Sequence, residues 1–404
     1  MPKKKKHTPP PAPKFTPRPV PAPWKQWGED LDPQAIQQMQ DSCELPVAIR
    51  GALMPDAHVG YGLPIGGVLA VKNAVIPWAV GMDIACRMRM SILDMPLSTL
   101  STEKFMLKEI LETNTCFGVG GTCTPAKDHA VMAKNWNFSP VLKKAKRKAW
   151  AQLGTSGSGN HFVELGVLTL KKDMEDPRTK STLVAGEYTA LLSHSGSRGL
   201  GGEVARYYSK KAQEIHPELP KKLQHLAWLD INSDLGKEYW RAMELIGEYS
   251  AANHEIIHKD IIDAMDCKSI FTVENHHNFA FKEKLDGEEV IIHRKGATPA
   301  HEGTLGIIPG AMNTPAYVVE GKGNKNALNS AAHGAGRSMS RKQALKTFVG
   351  QKLHSRMADQ GIELIGGGLD ESPEAYKDIH TVMEAQQDLV DIIAEFNPRI
   401  VKMA

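Results

Sequence analysis

The sequence predicts a single mixed α and β domain, because strand and helix patterns interleave along it with no second linker and no internal repeat. In chain order, residues 1–23 come first. They are rich in lysine and proline, and a stretch that cannot donate to sheets or helices reads as an extended, disordered tail. The apolar run Val68, Leu69, Ala70 and Val71 behind Gly66 and Gly67 reads as a buried strand. Alternating Met88, Met90 and Ile92 predict a second strand directly after Cys86. Ser340 followed by Gln343 is the pattern of a capping box, opening a helix through Lys346. Ser372 before Pro373 predicts a capped start to a long helix with Val382, Leu389, Ile392 and Phe396 inward. The body then spans 24–404 as one folded unit.

At 404 residues and 41% hydrophobic content the chain can bury a sizeable core. No apolar stretch is long enough to cross a bilayer, and the basic N-terminus lacks the hydrophobic segment of a secretory signal. The five cysteines Cys43, Cys86, Cys116, Cys123 and Cys267 are sparse, odd in number and free of CxxC spacing. That pattern argues against a disulfide scaffold and for a reducing, cytoplasmic setting with a functional thiol. Net charge is only +3, but Lys3–Lys6 form one basic run. Lys143, Lys144, Lys146, Arg147 and Lys148 form another. Such clusters bind polyanions through counterion release, although a solvated helix face has the same composition. The second run leads directly to a chemistry-bearing island, which points to a nucleic-acid partner.

That island is one of several, each set among glycine, serine or asparagine. They contain Asp83 and Cys86; Asn160, His161 and Glu164; His194 and Arg198; His276, His277 and Asn278; and His333 to Arg337. A carboxylate and a thiol three residues apart can share or bridge metal ions. Together with His161, His194 and His277 they form a mixed oxygen, nitrogen and sulfur set, suited to manganese, iron, cobalt or zinc. No pair has the local spacing of a structural zinc site. Asn160 and Asn278 could orient a phosphate or water, and Glu164 could accept from the N1–H and N2–H of a guanine. His333 lies in His-Gly-Ala-Gly-Arg, where glycines admit a phosphate close to the backbone and a neutral imidazole can attack phosphorus. The same residues would also make a helix-entry turn, and the local sequence leaves both readings open.

Taken together these segments resemble the RtcB family of GTP-dependent RNA ligases. The resemblance is carried by Pro55-Asp56-Ala57-His58 through Gly67, Gly81 to Cys86, Gly154 to Phe162, His194 to Arg198, His277-Asn278, His293 to Ala297, Pro309-Gly310 and His333 to Arg337. It covers the chain from about residue 46 onward. It implies a single compact domain with a deep dinuclear cleft holding two Mn2+ ions. Asp83, Cys86 and His161 would hold one ion; Cys86, His194 and His277 would hold the other, with Cys86 bridging. It implies that His333 is guanylylated by GTP. The nucleotide pocket would be lined by Asn160, His161, Phe162, Val163, Glu164, His277, Asn278, Pro309, Gly310, Ala311, Met312, Ala316, His333, Gly334, Ala335 and Gly336. Lys402 would contact the nucleotide near the C-terminus.

The implied reaction joins an RNA 3′-phosphate or 2′,3′-cyclic phosphate end to a 5′-hydroxyl end, in RNA repair or tRNA splicing. An activating partner protein is compatible with these residues but not specified by them. Ala85 and Arg87 stand where the family has glycines, so Arg87 is expected to add charge and bulk beside the metals. Ala311 and Ala316 stand where it has serines, and Ser156 replaces a leucine. The missing hydroxyls motivate an alternative, a metal-dependent RNA 2′,3′-cyclic phosphodiesterase without nucleotidyl transfer. A non-catalytic RNA binder would have no need of the five donors and the nucleophile.

Overall fold

A computed structural model that describes residues 15–176 and 179–404 contains two large β-sheets, whose strands and connecting turns carry the islands. The smaller sheet has five strands in the order Trp24–Gln26, Ala48–His58, Ile65–Val71, Glu288–Lys295 and Asn278–Leu285. The larger runs Ser269–His276, Arg87–Leu93, Gly186–Ser195, Phe162–Leu170, Val390–Met403, Ala316–Gly321 and Leu305–Pro309. An eighth strand, Glu363–Ile365, pairs in parallel with Val390–Met403. The chain passes from the larger sheet to the smaller at His277, the single residue between Ser269–His276 and Asn278–Leu285. A side chain at that step faces the junction of both sheets.

Both expected strands form. Val68, Leu69, Ala70 and Val71 are fully buried within Ile65–Val71, and Met88, Met90 and Ile92 within Arg87–Leu93. The Arg87–Leu93 and Phe162–Leu170 strands flank Gly186–Ser195, so Met88 and Phe162 both pair with His194. This register sets the Cys86, His161 and His194 ends of three strands side by side. Ser340 caps Arg341–Thr347 by accepting from the Gln343 amide at 3.3 Å, as its sequence pattern predicts. Behind the larger sheet lies the 31-residue helix Asp234–Ala264, whose Ile257 and Ile261 pack with Val163, Leu165 and Leu191.

Two expectations are corrected. The long helix from Ser372 does not form: Pro373–Ala375 makes one 3-10 turn and Ile379–Glu384 a short helix. The chain then enters the 14-residue strand Val390–Met403, with Phe396 buried and paired to Ala316 and Leu168 and with Ile392 on the outer face. The β-branched residues Val390, Ile392, Ile393, Ile400 and Val401 suit a pleated strand, and pairing on both edges overrides the helical spacing. Within the segment 1–23 expected to be an extended, disordered tail, residues from Phe15 onward contact the folded body. Residues 1–14 lie outside the described residues, but Phe15 packs on the core and Ala22 is buried. The Arg18 guanidinium donates to the Ala48 carbonyl at 2.5 Å and the Ala22 amide to the Cys43 carbonyl at 2.8 Å.

Candidate metal centre and nucleotide cavity

The turn from Gly81 to Cys86 is clamped from outside by Asn278. Its side-chain amide donates to the Asp83 carbonyl at 3.1 Å, its side-chain oxygen accepts from the Gly296 amide, and its own carbonyl accepts from the Ala85 amide at 2.7 Å. Ala85 sits at φ 56, in the left-handed region that favours glycine. This geometry brings Asp83 and Cys86 to the same centre. Oδ1 of Asp83 accepts from both the amide and the hydroxyl of Ser197 at 2.8 Å, which leaves Oδ2 facing His161 Nε2 at 3.1 Å. Cys86 Sγ lies 3.5 Å from His161 Nε2 and 3.2 Å from His194 Nε2. His194 Nε2 in turn lies 3.4 Å from His277 Nε2.

Two three-donor groups result, Asp83–Cys86–His161 and Cys86–His194–His277, each with its donor atoms within 4.8 Å of one another. Cys86 belongs to both. His194 Nδ1 donates to the Asn160 carbonyl at 2.9 Å, which leaves the Nε2 lone pair pointing inward as metal ligation requires. His161 differs: Arg198 donates to its Nδ1 at 2.9 Å, so without an ion Nε2 carries the proton toward Asp83. A cation held by Nε2 would take that proton's place. Burial lowers His194 to about 3 and His277 well below its ordinary value, so both imidazoles are neutral. Burial alone would raise Asp83, but His161, Arg198 and Ser197 hold its carboxyl well below the usual range. Burial and the neighbouring Asp83 push the Cys86 thiol well up, so thiolate ligation needs compensating positive charge. His277 Nδ1 is buried with no hydrogen-bond partner. Neutral nitrogens, one ionised carboxylate and a shared sulfur fit a pair of borderline divalent cations.

Gly157, at φ +101, gives Arg198 and His161 their approach; a Cβ there would lie 2.6 Å from His161 Nδ1 and run into the guanidinium. Gly157→Ala is therefore expected to cost about 1–3 kcal/mol and weaken metal binding, measurable by thermal unfolding with and without divalent ion.

His333 stands against this centre, its ring centroid 4.9 Å from that of His277. The fully buried Asp56, from the Ala48–His58 strand, accepts from His333 Nδ1 at 2.6 Å and from its backbone amide at 3.1 Å. With Nδ1 bound to a carboxylate, Nε2 presents a lone pair. Gly336, at φ +72, packs on the Asp56 carbonyl with no room for a Cβ. The Ala335 amide donates to the Pro309 carbonyl at 3.0 Å. A cavity of about 280 Å3 opens over both donor groups and His333.

Residues 38–403 match the family model described as tRNA-splicing ligase RtcB. The chain belongs to the RtcB family. It is 31% identical to the RNA-splicing ligase RtcB of Escherichia coli over 92% of its own length and 95% of that protein. It is 31% identical to the tRNA-splicing ligase RtcB of Methanococcus maripaludis over 89% of each chain. The RNA-splicing ligase RtcB of Mycobacterium tuberculosis is 29% identical over 89% of this chain and 98% of its own.

In this RtcB family member most residues expected at the site line the cavity: Asn160, His161, Phe162, Glu164, His277, Asn278, Pro309 to Met312 and His333 to Gly336, beside Asp83, Cys86 and His194. Three do not. Val163 is fully buried on the opposite face of its strand, and Ala316 is buried opposite Pro309. Lys402 Nζ is bound to the carbonyls of Leu111 and Glu112 at 3.1 and 3.0 Å, and Met403 lines the cavity instead. Strand alternation explains Val163 and Lys402, since neighbours on a strand face opposite ways. Arg87 likewise points away from the donor groups that share Cys86: it pairs with Glu274 at 2.9 Å and donates to the Gly247 carbonyl.

Sequence reasoning missed His58, Ile65, Gly296, Arg341, Glu371 and Tyr376 in the lining, gave Arg337 no role there, and gave Asp56 no role behind His333. Buried Glu371 binds Arg337, Arg341 and the Tyr376 hydroxyl, fixing two guanidinium groups at the cavity wall. The motifs containing His58 and Arg337 were a usable signal. Glu371 and Tyr376 carried none.

Proposed function

We propose that this chain is an RNA ligase that joins 3′-phosphate or 2′,3′-cyclic phosphate ends to 5′-hydroxyl ends, using GTP and two Mn2+ ions. The observation that carries this reading is His333 with Nε2 freed by Asp56 beside a two-cation donor set. In the first step His333 Nε2 attacks the α-phosphorus of GTP, a P–N bond forms, and pyrophosphate leaves. Asp56 keeps the Nδ1 proton in place and stabilises the positive charge that the ring acquires. In the second step the RNA 3′-phosphate oxygen takes the GMP and returns the electron pair to Nε2. A 2′,3′-cyclic end is opened by water beforehand. Finally the 5′-hydroxyl attacks the activated phosphorus, loses its proton, and GMP leaves. The ions, when bound, would neutralise phosphate charge beside His333. Arg337 and Arg341 at the wall supply fixed positive charge to the same anions.

Glu164 fits the guanine edge. It is buried in the cavity wall, and burial raises its pKa to about 8, so at neutral pH its side chain is a neutral acid that two N–H donors would ionise. The folded chain then binds a proton between pH 4.5 and about 8 that the unfolded chain has released. Stability is lost as pH rises through that window. Glu164→Gln is expected to remove this slope, gaining on the order of a few kcal/mol over wild type at pH 8.5 and nothing at pH 4, read by urea unfolding of the ligand-free protein.

We place the reaction in the cytoplasm, in keeping with five free cysteines among the described residues. No helix among the described residues is long and apolar enough to cross a membrane. Intact mass after incubation with GTP and Mn2+ tests the proposal. A gain of one GMP, acid-labile and lost in His333→Ala, supports it. No gain in a folded, metal-loaded protein that still opens cyclic phosphates would replace it with the phosphodiesterase reading.

A further inference from the structure

The helix Asp234–Ala264 sets a row of buried polar side chains against the larger sheet, beside the apolar Ile257 and Ile261. Ser250, Asn253, His254 and His258 follow one another at helical spacing, and all four are buried, the first three completely. None lines the cavity. Each is instead bonded behind the loops that carry the metal donors. Ser250 donates to the Ala85 carbonyl at 2.7 Å, one residue before Cys86. Asn253 accepts from the Gly154 amide at 2.9 Å, in the loop that leads to His161, and donates to the Gly196 carbonyl at 3.0 Å, just past His194. One side chain therefore ties two ligand loops together.

His254 and His258 extend this into a hydrogen-bond chain whose direction follows from its end. His254 Nε2 lies 3.1 Å from the Ser195 carbonyl, which can only accept, so Nε2 carries the proton and Nδ1 accepts. The Ser193 hydroxyl at 2.7 Å is the donor to Nδ1. Having given its only proton, Ser193 Oγ accepts from His258 Nε2 at 2.8 Å. His258 Nδ1 then accepts from the Ser91 hydroxyl, also at 2.8 Å. Burial holds both imidazoles neutral, as a one-way chain requires. The chain ends on the Ser195 carbonyl, in the peptide that joins Ser195 to Gly196, and a Cβ on Gly196 would strike the Asp83 carboxylate. A small rotation of that peptide would therefore move His194 on one side and press on Asp83 on the other.

We propose that Ser250, Asn253, His254 and His258 are positioning residues for the metal centre, with His254 the one that fixes the Ser195 peptide and so the spacing of His194, Cys86 and Asp83. The inference rests on the reading of this site as a two-cation centre. Groups that orient metal ligands from behind alter affinity by about 10–100-fold when removed. Co2+ is the probe, because its thiolate charge-transfer and d–d absorption report ligand geometry independently of catalysis. His254→Phe, which keeps bulk and loses the N–H, is expected to weaken Co2+ binding about 10–100-fold and change the spectrum. His254→Gln, whose amide can donate to Ser195 and accept from Ser193, is expected to restore both. Wild-type affinity and spectrum in folded His254→Phe, or equal weakening in both variants, would overturn the proposal. If His254→Phe does not fold, Ser250→Ala decides: about tenfold weaker binding supports it, unchanged binding overturns it. Failure of the wild type itself to bind Co2+ would strike the metal-centre reading and is seen in the arm without a substitution.

Discussion

His333→Ala is expected to abolish the guanylate adduct, with ligation falling by at least about 10^3-fold, since no other group can take over a removed nucleophile. The more informative companion is Asp56→Asn. Asp56 accepts from the His333 backbone amide and from Nδ1 through the same oxygen, Oδ2. An asparagine of the same shape can offer its NH2 to Nδ1, which moves the ring proton to Nε2 and removes the lone pair that attacks phosphorus. A wrong tautomer in a histidine-dependent site costs about 10^4 in rate, so adduct formation should slow by about 10^3–10^4-fold with the fold intact. Rapid-quench assay of labelled GMP on the protein measures it. A rate within tenfold of wild type would show that Asp56 does not set the tautomer.

Cys86→Ala is expected to remove both metal ions, where loss of a single terminal ligand would weaken one. The sulfur is common to the two donor groups, and the remaining donors divide into Asp83 with His161 and His194 with His277. Two ligands from a protein seldom hold a borderline cation against water, so affinity at each position should fall by more than about 10^2-fold. Metal analysis after dialysis should find fewer than half an ion per chain, and ligation should be undetectable. His194→Ala provides the contrast: it should spare the Asp83–Cys86–His161 position and leave about one ion. Retention of two ions by Cys86→Ala would mean that the thiol is not shared.

The islands were legible because their chemistry is local. Gly81 to Cys86 and Gly154 to His161 each state in a few residues both a donor and the glycines that bring it close. The Arg87–Leu93 strand was legible for a similar reason, since Met88, Met90 and Ile92 repeat every second residue. Val390–Met403 was not. Its apolar residues also satisfy a helical spacing, and only pairing with Phe162–Leu170 and Ala316–Gly321 decides between the two. Lys402 and Met403 show the same limit at the site: the composition of the C-terminal residues gives no sign of which one the register turns inward. The helix behind the sheet was missed altogether: Tyr239, Met243, Ile246, Ile257 and Ile261 repeat at helical spacing, but buried serine, asparagine and histidines interrupt the apolar pattern between them.

The sequence by itself determined the candidate donor atoms, the candidate nucleophile His333 and the glycines that let them be approached, because those properties belong to residue types and their immediate neighbours. Only the tertiary structure decided how they are used. Asp56 and His333 are 277 residues apart, and Cys86 meets His194 across 108. Their meeting depends on the register of three adjacent strands and on a chain that changes sheets at His277. Which imidazole nitrogen keeps its proton is settled there too, by the Asn160 carbonyl, the Asp56 carboxylate and the Arg198 guanidinium. Protonation and ligand geometry follow from contacts between distant segments, and a linear pattern does not contain those distances.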